Sequence, residues 1–207
     1  MRFLDLEALK ATPLETEPFP YLIVPRFIRR DQLARVYEEF PRIERAGSFP
    51  TSEVEVTPYF AAFLAELESP ELRHAFAEKF AMDLEGRPTL ITLRGQTREK
   101  DGRIHTDTKT KLITVLIYLN PVWGRSDGRL RLLRSATDLE AKVAEIPPED
   151  GNLLAFKVTE NSWHGHTTYA GPRRAIQLNW LTSEDVARRE LSRHRFSARL
   201  KRLVPFA

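Results

Sequence analysis

The stretch Arg103–Asn120, "RIHTDTKTKLITVLIYLN", decides how the chain is read. It places an imidazole and a carboxylate two residues apart, His105 and Asp107, just ahead of an apolar run rich in β-branched residues. Such a run favours a strand. On a strand, residues i and i+2 point to the same side, so His105 and Asp107 are expected to face one interior. An imidazole nitrogen beside a carboxylate oxygen can hold two adjacent positions on a metal ion. A third ligand must come from elsewhere, and the other histidines are His74, His164, His166 and His194.

Working outward, the segment from Thr89 onward breaks into short strand-like runs: "TLITLRGQT", "RIHTD", "LITVLIYLN", "RLRLLRS", "NLLAFKV", "WHGHTTYA" and "AIQLNWLTS". Turns containing Gly, Pro or Asp separate them, among them "REKDG", "PVWGRSDG" and "IPPEDG". Many short strands with regular turn signals predict a sandwich or barrel. The first half has a different character. "DLEALKAT" reads as a short helix and "FPYLIVPRFI" as a strand interrupted at Pro25. "RRDQLARVYEEFPRI" carries Leu33, Val36, Tyr37 and Phe40 at helical spacing, with Asp31 as its expected N-cap. "TPYFAAFLAELESPELRHAFAEKFAMDL" reads as two helices broken near Ser69-Pro70. The expected fold class is α+β: a double-stranded β-helix, or jelly roll, with flanking helices drawn mostly from the N-terminal half. The expected organisation is a single domain over residues 1–207, with 1–86 a mainly helical support, 87–183 the jelly roll and 184–207 a basic helix.

A chain of 207 residues suits one domain with a full-sized core. It has no cysteine, which excludes disulfides and thiolate metal sites and fits a reducing compartment, with the cytoplasm the expected location. No apolar run is long enough to cross a bilayer, so no membrane partner is expected. The N-terminal stretch mixes acids with apolar residues and lacks the core of a signal peptide. The net charge of +3 is local in origin, because "RRELSRHRFSARLKRL" (188–203) carries seven Lys/Arg against Glu190 alone. A basic tail on a slightly acidic body is not the footprint of a nucleic-acid binder. The tail reads as a solvated amphipathic helix packing through Leu191, Phe196, Leu200 and Leu203; the other reading is a contact to an acidic partner.

Among the remaining histidines, His164 in "SWHGHTTYAGPRRAIQLNW" (162–180) is the best third ligand. Two His and one carboxylate on one face of an octahedron form the ligand set of non-haem Fe(II) oxygenases. An HxD pair by itself carries little weight, and the decisive addition is an arginine. Ten residues after His164, Arg174 shares strand parity with the apolar Ile176, Leu178 and Trp180, whereas Arg173 falls with Ala175, Gln177 and Asn179. Alternation therefore predicts Arg174 inward and Arg173 outward. A buried guanidinium needs a partner: an anionic ligand beside the metal or a carboxylate of the protein.

With "HTD", "YLNPVW", "DGRLRLL", "GNLLAF", "SWHGH" and "RRAIQLNW" in this order, the chain resembles the Fe(II)- and 2-oxoglutarate-dependent dioxygenases, in the branch of prolyl hydroxylases and their bacterial relatives, over Thr89 to Thr182. The resemblance implies iron held by His105, Asp107 and His164, with Arg174 on the distal carboxylate of 2-oxoglutarate. It also implies that Tyr118 offers its phenol to that carboxylate, with Thr114 assisting from the same side of the strand. For Tyr118 the other reading is a core tyrosine. Two departures stand out. Asp127-Gly128 replaces a pair of glycines, and His166 repeats the imidazole of His164, as a rival ligand or a contact at the rim. The cofactors implied are Fe(II) and 2-oxoglutarate, with O2 as co-substrate and ascorbate as a candidate reductant. The reaction implied is hydroxylation of an unactivated C–H with release of succinate and CO2, since Asp107 retains the carboxylate that related halogenases lack. The expected substrate is a small molecule or a peptide, and Lys100, Arg103, Lys109, Lys111 and Arg125 near the expected entrance hint at a polar or anionic one. Two other readings are a cupin-like isomerase or hydrolase with the same metal triad, which has no use for Arg174, and a non-enzymatic jelly roll.

Overall fold

The β-branched and aromatic runs do form strands, and the computed structural model describes residues 1–203, with side chains through Ala198. Six strands make the larger sheet, in the order β1 (Tyr21–Val24), β7 (Leu153–Lys157), β4 (Lys111–Tyr118), β9 (Gly171–Leu181), β3 (Thr89–Thr97), β2 (Phe49–Pro50). Three make the smaller: β6 (Lys142–Ile146), β5 (Leu130–Leu133), β8 (His164–His166). Every pairing within them is antiparallel. The helices are α1 (Leu6–Ala11), α2 (Arg30–Glu38), α3 (Pro58–Glu66), α4 (Pro70–Phe80) and α5 (Glu184–Leu203).

The N-terminal half is helical for reasons visible in its caps. Asp5, Thr57 and Ser69 each accept a hydrogen bond from a backbone N–H of the first turn that follows. Pro58 and Pro70 occupy the first helical position, where a missing N–H costs nothing. Asp31 differs from expectation: it lies in the first turn of α2, and the residue at the cap, Arg29, makes no side-chain cap. The same half also supplies β1 and β2, the two edge strands of the larger sheet. The expected "RIHTD" strand is reduced to a single antiparallel bridge between His105 and His164.

Strands β3, β4 and β9 have one face toward the helices and the other toward the smaller sheet, and the two faces differ in chemistry. Ile91, Leu93, Ile113, Val115, Ile117, Ile176, Leu178 and Trp180 join Phe60, Phe63, Phe76 and Phe80 of α3 and α4 in the main core. A second, smaller core contains Tyr118 and Ala175 with Leu130, Leu132 and Ile146 of the smaller sheet. The main core is thus outside the jelly roll, under the helices. Trp180 is its largest side chain, and the Phe76 ring lies 5.0 Å from it and stacks on Phe80 at 6.0 Å.

Helix α5 packs against β2, β3 and β9. Leu191 is half-buried as expected, but Phe196 is 71 % exposed and Ala198 is the buried residue of the last described turns. The side chains of Leu200 and Leu203 lie outside the described residues. Among the described residues, no helix is long and apolar enough to cross a membrane.

Truncating Phe76 to Ala removes the ring that joins α4 to β9. It is expected to cost about 3–5 kcal/mol, read as a lower urea midpoint at unchanged slope.

Candidate active site

The site begins with a reciprocal pair of backbone hydrogen bonds. His105 N–H donates to His164 O at 3.0 Å, and His164 N–H donates to His105 O at 3.0 Å. Chain pairing alone therefore sets the two imidazoles side by side, with ring centroids 4.3 Å apart. Each ring is turned by a local carbonyl. His105 Nδ1 donates to Arg103 O at 2.8 Å, and His164 Nδ1 donates to Ser162 O at 3.0 Å. Both Nε2 atoms are left as acceptors, the tautomer a metal ligand requires. Asp107 joins them: one potential ligand atom from each of His105, Asp107 and His164 lies within 4.8 Å of the other two. Among the described residues this is the cluster of His and acid side chains that could hold a metal ion. The remaining histidines stand apart from it. His74 is exposed on α4 beside Glu78, while His166 and His194 line the same cavity without joining the cluster.

Asp107 is fixed through both oxygens. Lys111 donates to Oδ1 at 2.7 Å and the Thr114 hydroxyl to Oδ2 at 2.6 Å. Thr114 in turn accepts from Asn179 Nδ2 at 2.8 Å, and Asn179 Oδ1 accepts from Gln177 Nε2 at 3.1 Å. These residues, the polar parities of β4 and β9, form a continuous relay that ends on the carboxylate. Burial pushes the Asp107 carboxyl up, but Lys111, His164 and the Thr114 hydroxyl together hold it below the usual carboxylate range. Thr114 is therefore at the metal end, orienting Asp107, and not beside the anion group where it was expected. Lys111 likewise serves Asp107, and two other expected entrance cations are already paired, Lys109 with Glu160 and Arg125 with Asp127.

The arginine parity is the reverse of the sequence expectation. Arg173 is 4 % exposed and lines the cavity with Ala175, Gln177 and Asn179. Arg174 points to the helical side, where Nη1 donates to Tyr37 O at 3.2 Å and the guanidinium lies 5.5 Å from the centre of the Phe40 ring. The reason is the position of the main core. The apolar parity of β9 marks the face covered by helices, and the polar parity marks the cavity. Arg173 Nε donates to Gly128 O at 2.9 Å. Gly128 has φ +71, and a Cβ there would press on Trp123 and Tyr169, so glycine is needed to present this carbonyl. Tyr118 is fully buried, with the Arg173 guanidinium 5.1 Å from its ring centre. The Tyr118 hydroxyl and Arg173 Nη2 are both buried without a hydrogen-bond partner. Two orphaned donors side by side at the edge of a cavity suit a carboxylate.

The cavity is about 260 Å³ and spans both groups: His105, Asp107, His164 and Lys111 toward the metal cluster, Arg94, Tyr118, His166 and Arg173 toward the orphaned donors. His166 Nδ1 donates to Thr167 O at 2.8 Å, and its ring packs against Gly102, where it leaves no room for a Cβ. Sequence reasoning missed two contributions. Arg94 of β3 shares the cavity-facing parity of Leu90 and Thr92, and the alternation in "TLITLRGQT" was the signal for it. Glu190, Arg193 and His194 bring α5 into the cavity wall, which a helix read as a solvated tail does not suggest.

A jelly roll holding two imidazoles and a carboxylate against one cavity defines a mononuclear non-haem metalloenzyme. Residues 95–182 match the family model of the 2OG-Fe(II) oxygenase superfamily. That stretch is an oxygenase domain of this superfamily, and the protein is a 2-oxoglutarate-dependent iron dioxygenase. The cupin-like isomerase or hydrolase and the non-enzymatic jelly roll are set aside on this ground. Solved structures agree on the fold. A Pseudomonas putida prolyl-4-hydroxylase is 17% identical with a TM-score of 0.59, over 87% of this chain and 94% of its own. A Paramecium bursaria Chlorella virus-1 collagen prolyl hydroxylase, solved with 2-oxoglutarate, is 12% identical with a TM-score of 0.55, over 79% of this chain and 96% of its own. HygX of Streptomyces hygroscopicus, solved with nickel and 2-oxoglutarate, is 13% identical with a TM-score of 0.52, over 79% of this chain and 82% of its own. A search of curated proteins finds no match.

Two outcomes follow from this geometry. Replacing Thr114 by Val breaks the relay at Asp107 in nearly the same volume, and Fe(II) affinity is expected to fall about tenfold or more, measured by anaerobic metal titration. The second concerns pH. Burial, with His105 close to His164 and Arg173 close to His166, lowers both imidazoles to about 4 from the ordinary 6.5. Between those values the unfolded chain binds protons that the folded protein does not, so stability of the metal-free protein falls as pH drops from 6.5 toward 4. Urea denaturation across that range reads the slope, and His166→Gln is expected to flatten it.

Proposed function

We propose that His105, Asp107 and His164 hold Fe(II), that Arg173 and Tyr118 anchor the distal carboxylate of 2-oxoglutarate, and that the protein hydroxylates an unactivated C–H of a small molecule or a peptide residue. The observation that carries this is the pairing of two features in one cavity: a three-ligand cluster at one end, and two buried donors lacking any protein partner at the other.

The donor set fits the metal. Two neutral imidazole nitrogens and one carboxylate suit Fe(II), leave three positions open and keep it oxidisable. The donor set also fits the co-substrate, because a carboxylate accepts from a guanidinium and a phenol at once. When bound, iron and 2-oxoglutarate supply the oxidising chemistry, with succinate and CO2 as products. The chain's own residues bind, orient and shield. Lys111 and Thr114 keep Asp107 ionised and fix which way its oxygens point. The ring of Phe156, 4.8 Å from that of His164, packs one side of the ligand set with hydrocarbon. Leu116, Leu130 and Ala175 add apolar lining between the two ends, which limits water there.

Substrate approach is read along α5. The helix is a wall of the cavity through Glu190, Arg193 and His194, and the basic residues on its other sides leave a contact to an acidic partner as the second reading of its charge. A reducing compartment such as the cytoplasm suits a cysteine-free chain that must keep iron reduced.

The test is anaerobic titration with Fe(II) and then 2-oxoglutarate, followed by the visible charge-transfer band, with succinate release scored for candidate substrates. Arg173→Gln is expected to weaken 2-oxoglutarate about a hundredfold. Arg174→Gln is expected to leave it within about twofold, since that side chain serves α2. The opposite ranking would return the anchor to Arg174.

A further inference from the structure

Arg94 is a cavity guanidinium that the preceding assignments leave without a task. It stands on β3 opposite Ala175 of β9, so its side chain leaves the sheet on the same face as those of Ala175 and Arg173. That puts Arg94 and Arg173 in the diagonal relation across neighbouring antiparallel strands, within reach of each other's long side chains. Both line the same cavity. Among the described residues neither makes an ion pair, and the hydrogen bond that Arg94 makes is from Nη2 to Ser48 Oγ at 3.1 Å.

No acid stands ready to separate the two cations. The carboxylates lining the cavity are Asp107, held by Lys111 and Thr114, and Glu190, paired with Arg193. Asp101 approaches from outside the lining, but its oxygens already accept from the Arg98 backbone at 3.0 Å and from the Arg98 guanidinium at 3.4 Å. Burial and the charge of Arg173 both act against the charged form of Arg94, and Tyr118 lies close enough to favour it. Two guanidiniums facing one end of a cavity beside an unsatisfied phenol mark a place where negative charge is missing.

We infer that Arg94 is a second guanidinium for the distal carboxylate of 2-oxoglutarate, so that β3 and β9 grip the co-substrate from two sides through Arg94 and Arg173, with Tyr118 between them. A carboxylate offers about four lone-pair sites, enough for two guanidiniums and a hydroxyl. Charge then decides the co-substrate as strongly as length does: a 2-oxo acid with no distal carboxylate leaves two buried cations unpaired and is rejected. The inference rests on the assignment of Arg173 and Tyr118 to 2-oxoglutarate and adds a residue on a different strand.

The experiment uses the full chain, saturated with Fe(II) without oxygen and titrated with 2-oxoglutarate while the charge-transfer band is followed. Wild type, Arg94→Gln, Arg94→Lys and Arg173→Gln are compared, with circular dichroism as the check on folding. Arg94→Gln is expected to raise the Kd for 2-oxoglutarate about tenfold or more, with Fe(II) affinity unchanged. Arg94→Lys keeps the charge without the fork and is expected to recover part of that loss, and it carries the test if the Gln variant does not fold. Substrate-free turnover, read as succinate, should show a higher KM for 2-oxoglutarate at a nearly constant kcat. A Kd within about twofold of wild type in both Arg94 variants, with Arg173→Gln impaired, overturns the inference and leaves the Arg173 anchor standing. So does a loss confined to substrate-stimulated turnover, which would assign Arg94 to the other substrate. Wild type that shows no 2-oxoglutarate-dependent band would instead remove the parent assignment.

Discussion

Strand β9 is buried on both faces, and that constraint organises the molecule. One face must fit under a helical layer, so it is apolar: Ile176, Leu178 and Trp180. The other must line a cavity that receives polar guests, so it carries Arg173, Gln177 and Asn179. The period of two along an extended chain lets one strand meet both demands without compromise. Its neighbours β3 and β4 repeat the division, with Thr92 and Arg94 against Ile91 and Leu93, and Thr114 and Tyr118 against Ile113, Val115 and Ile117. The metal cluster, the relay to Asp107 and the anion groups all depend on this two-sided alternation staying in register.

Much of this was legible in the sequence. The spacing of His105 and Asp107, the later His164, and the short strands between Gly, Pro and Asp turns were local signals, and the structure brings those three side chains together. The helices of the first half announced themselves through helical spacing and the break at Ser69-Pro70, while the caps at Asp5, Thr57 and Ser69 are seen only in the structure. What could not be read was which parity of a two-faced strand meets the cavity. Apolar residues were equated with the interior of the jelly roll, whereas the larger apolar layer lies outside it, under the helices. Arg173 and Arg174 exchanged faces for that reason alone. The inner edge of α5 was illegible for a related one. Glu190, Arg193 and His194 form no apolar stripe, and only the packing of the helix on β2, β3 and β9 turns them toward the cavity. The short edge strand β2 and the strand β6 carried too little pattern to stand out.

The electrostatics divide along the cavity. At the metal end every charge is answered within the protein: Lys111 and Thr114 hold Asp107, burial holds the His164 imidazole neutral, and the Nδ1 atoms of His105 and His164 donate to backbone carbonyls. At the other end the Tyr118 hydroxyl and Arg173 Nη2 are left without a hydrogen-bond partner. A folded chain tolerates such imbalance where a ligand completes it. The family's co-substrate, a dianion, has one carboxylate for the metal and one to spare.

The Arg173 guanidinium hangs from the main-chain carbonyl of Gly128. Such an acceptor has no side chain to lose, so the loop that carries the chain from β4 in one sheet to β5 in the other can drift in composition at Arg125, Ser126 or Asp127 while the arginine keeps its aim. Adding or deleting one residue in that loop would move the carbonyl and swing the guanidinium with it. Tolerance there is therefore a matter of length and not of letters, and a library that varies the loop at fixed size explores the cavity mouth without disturbing its floor.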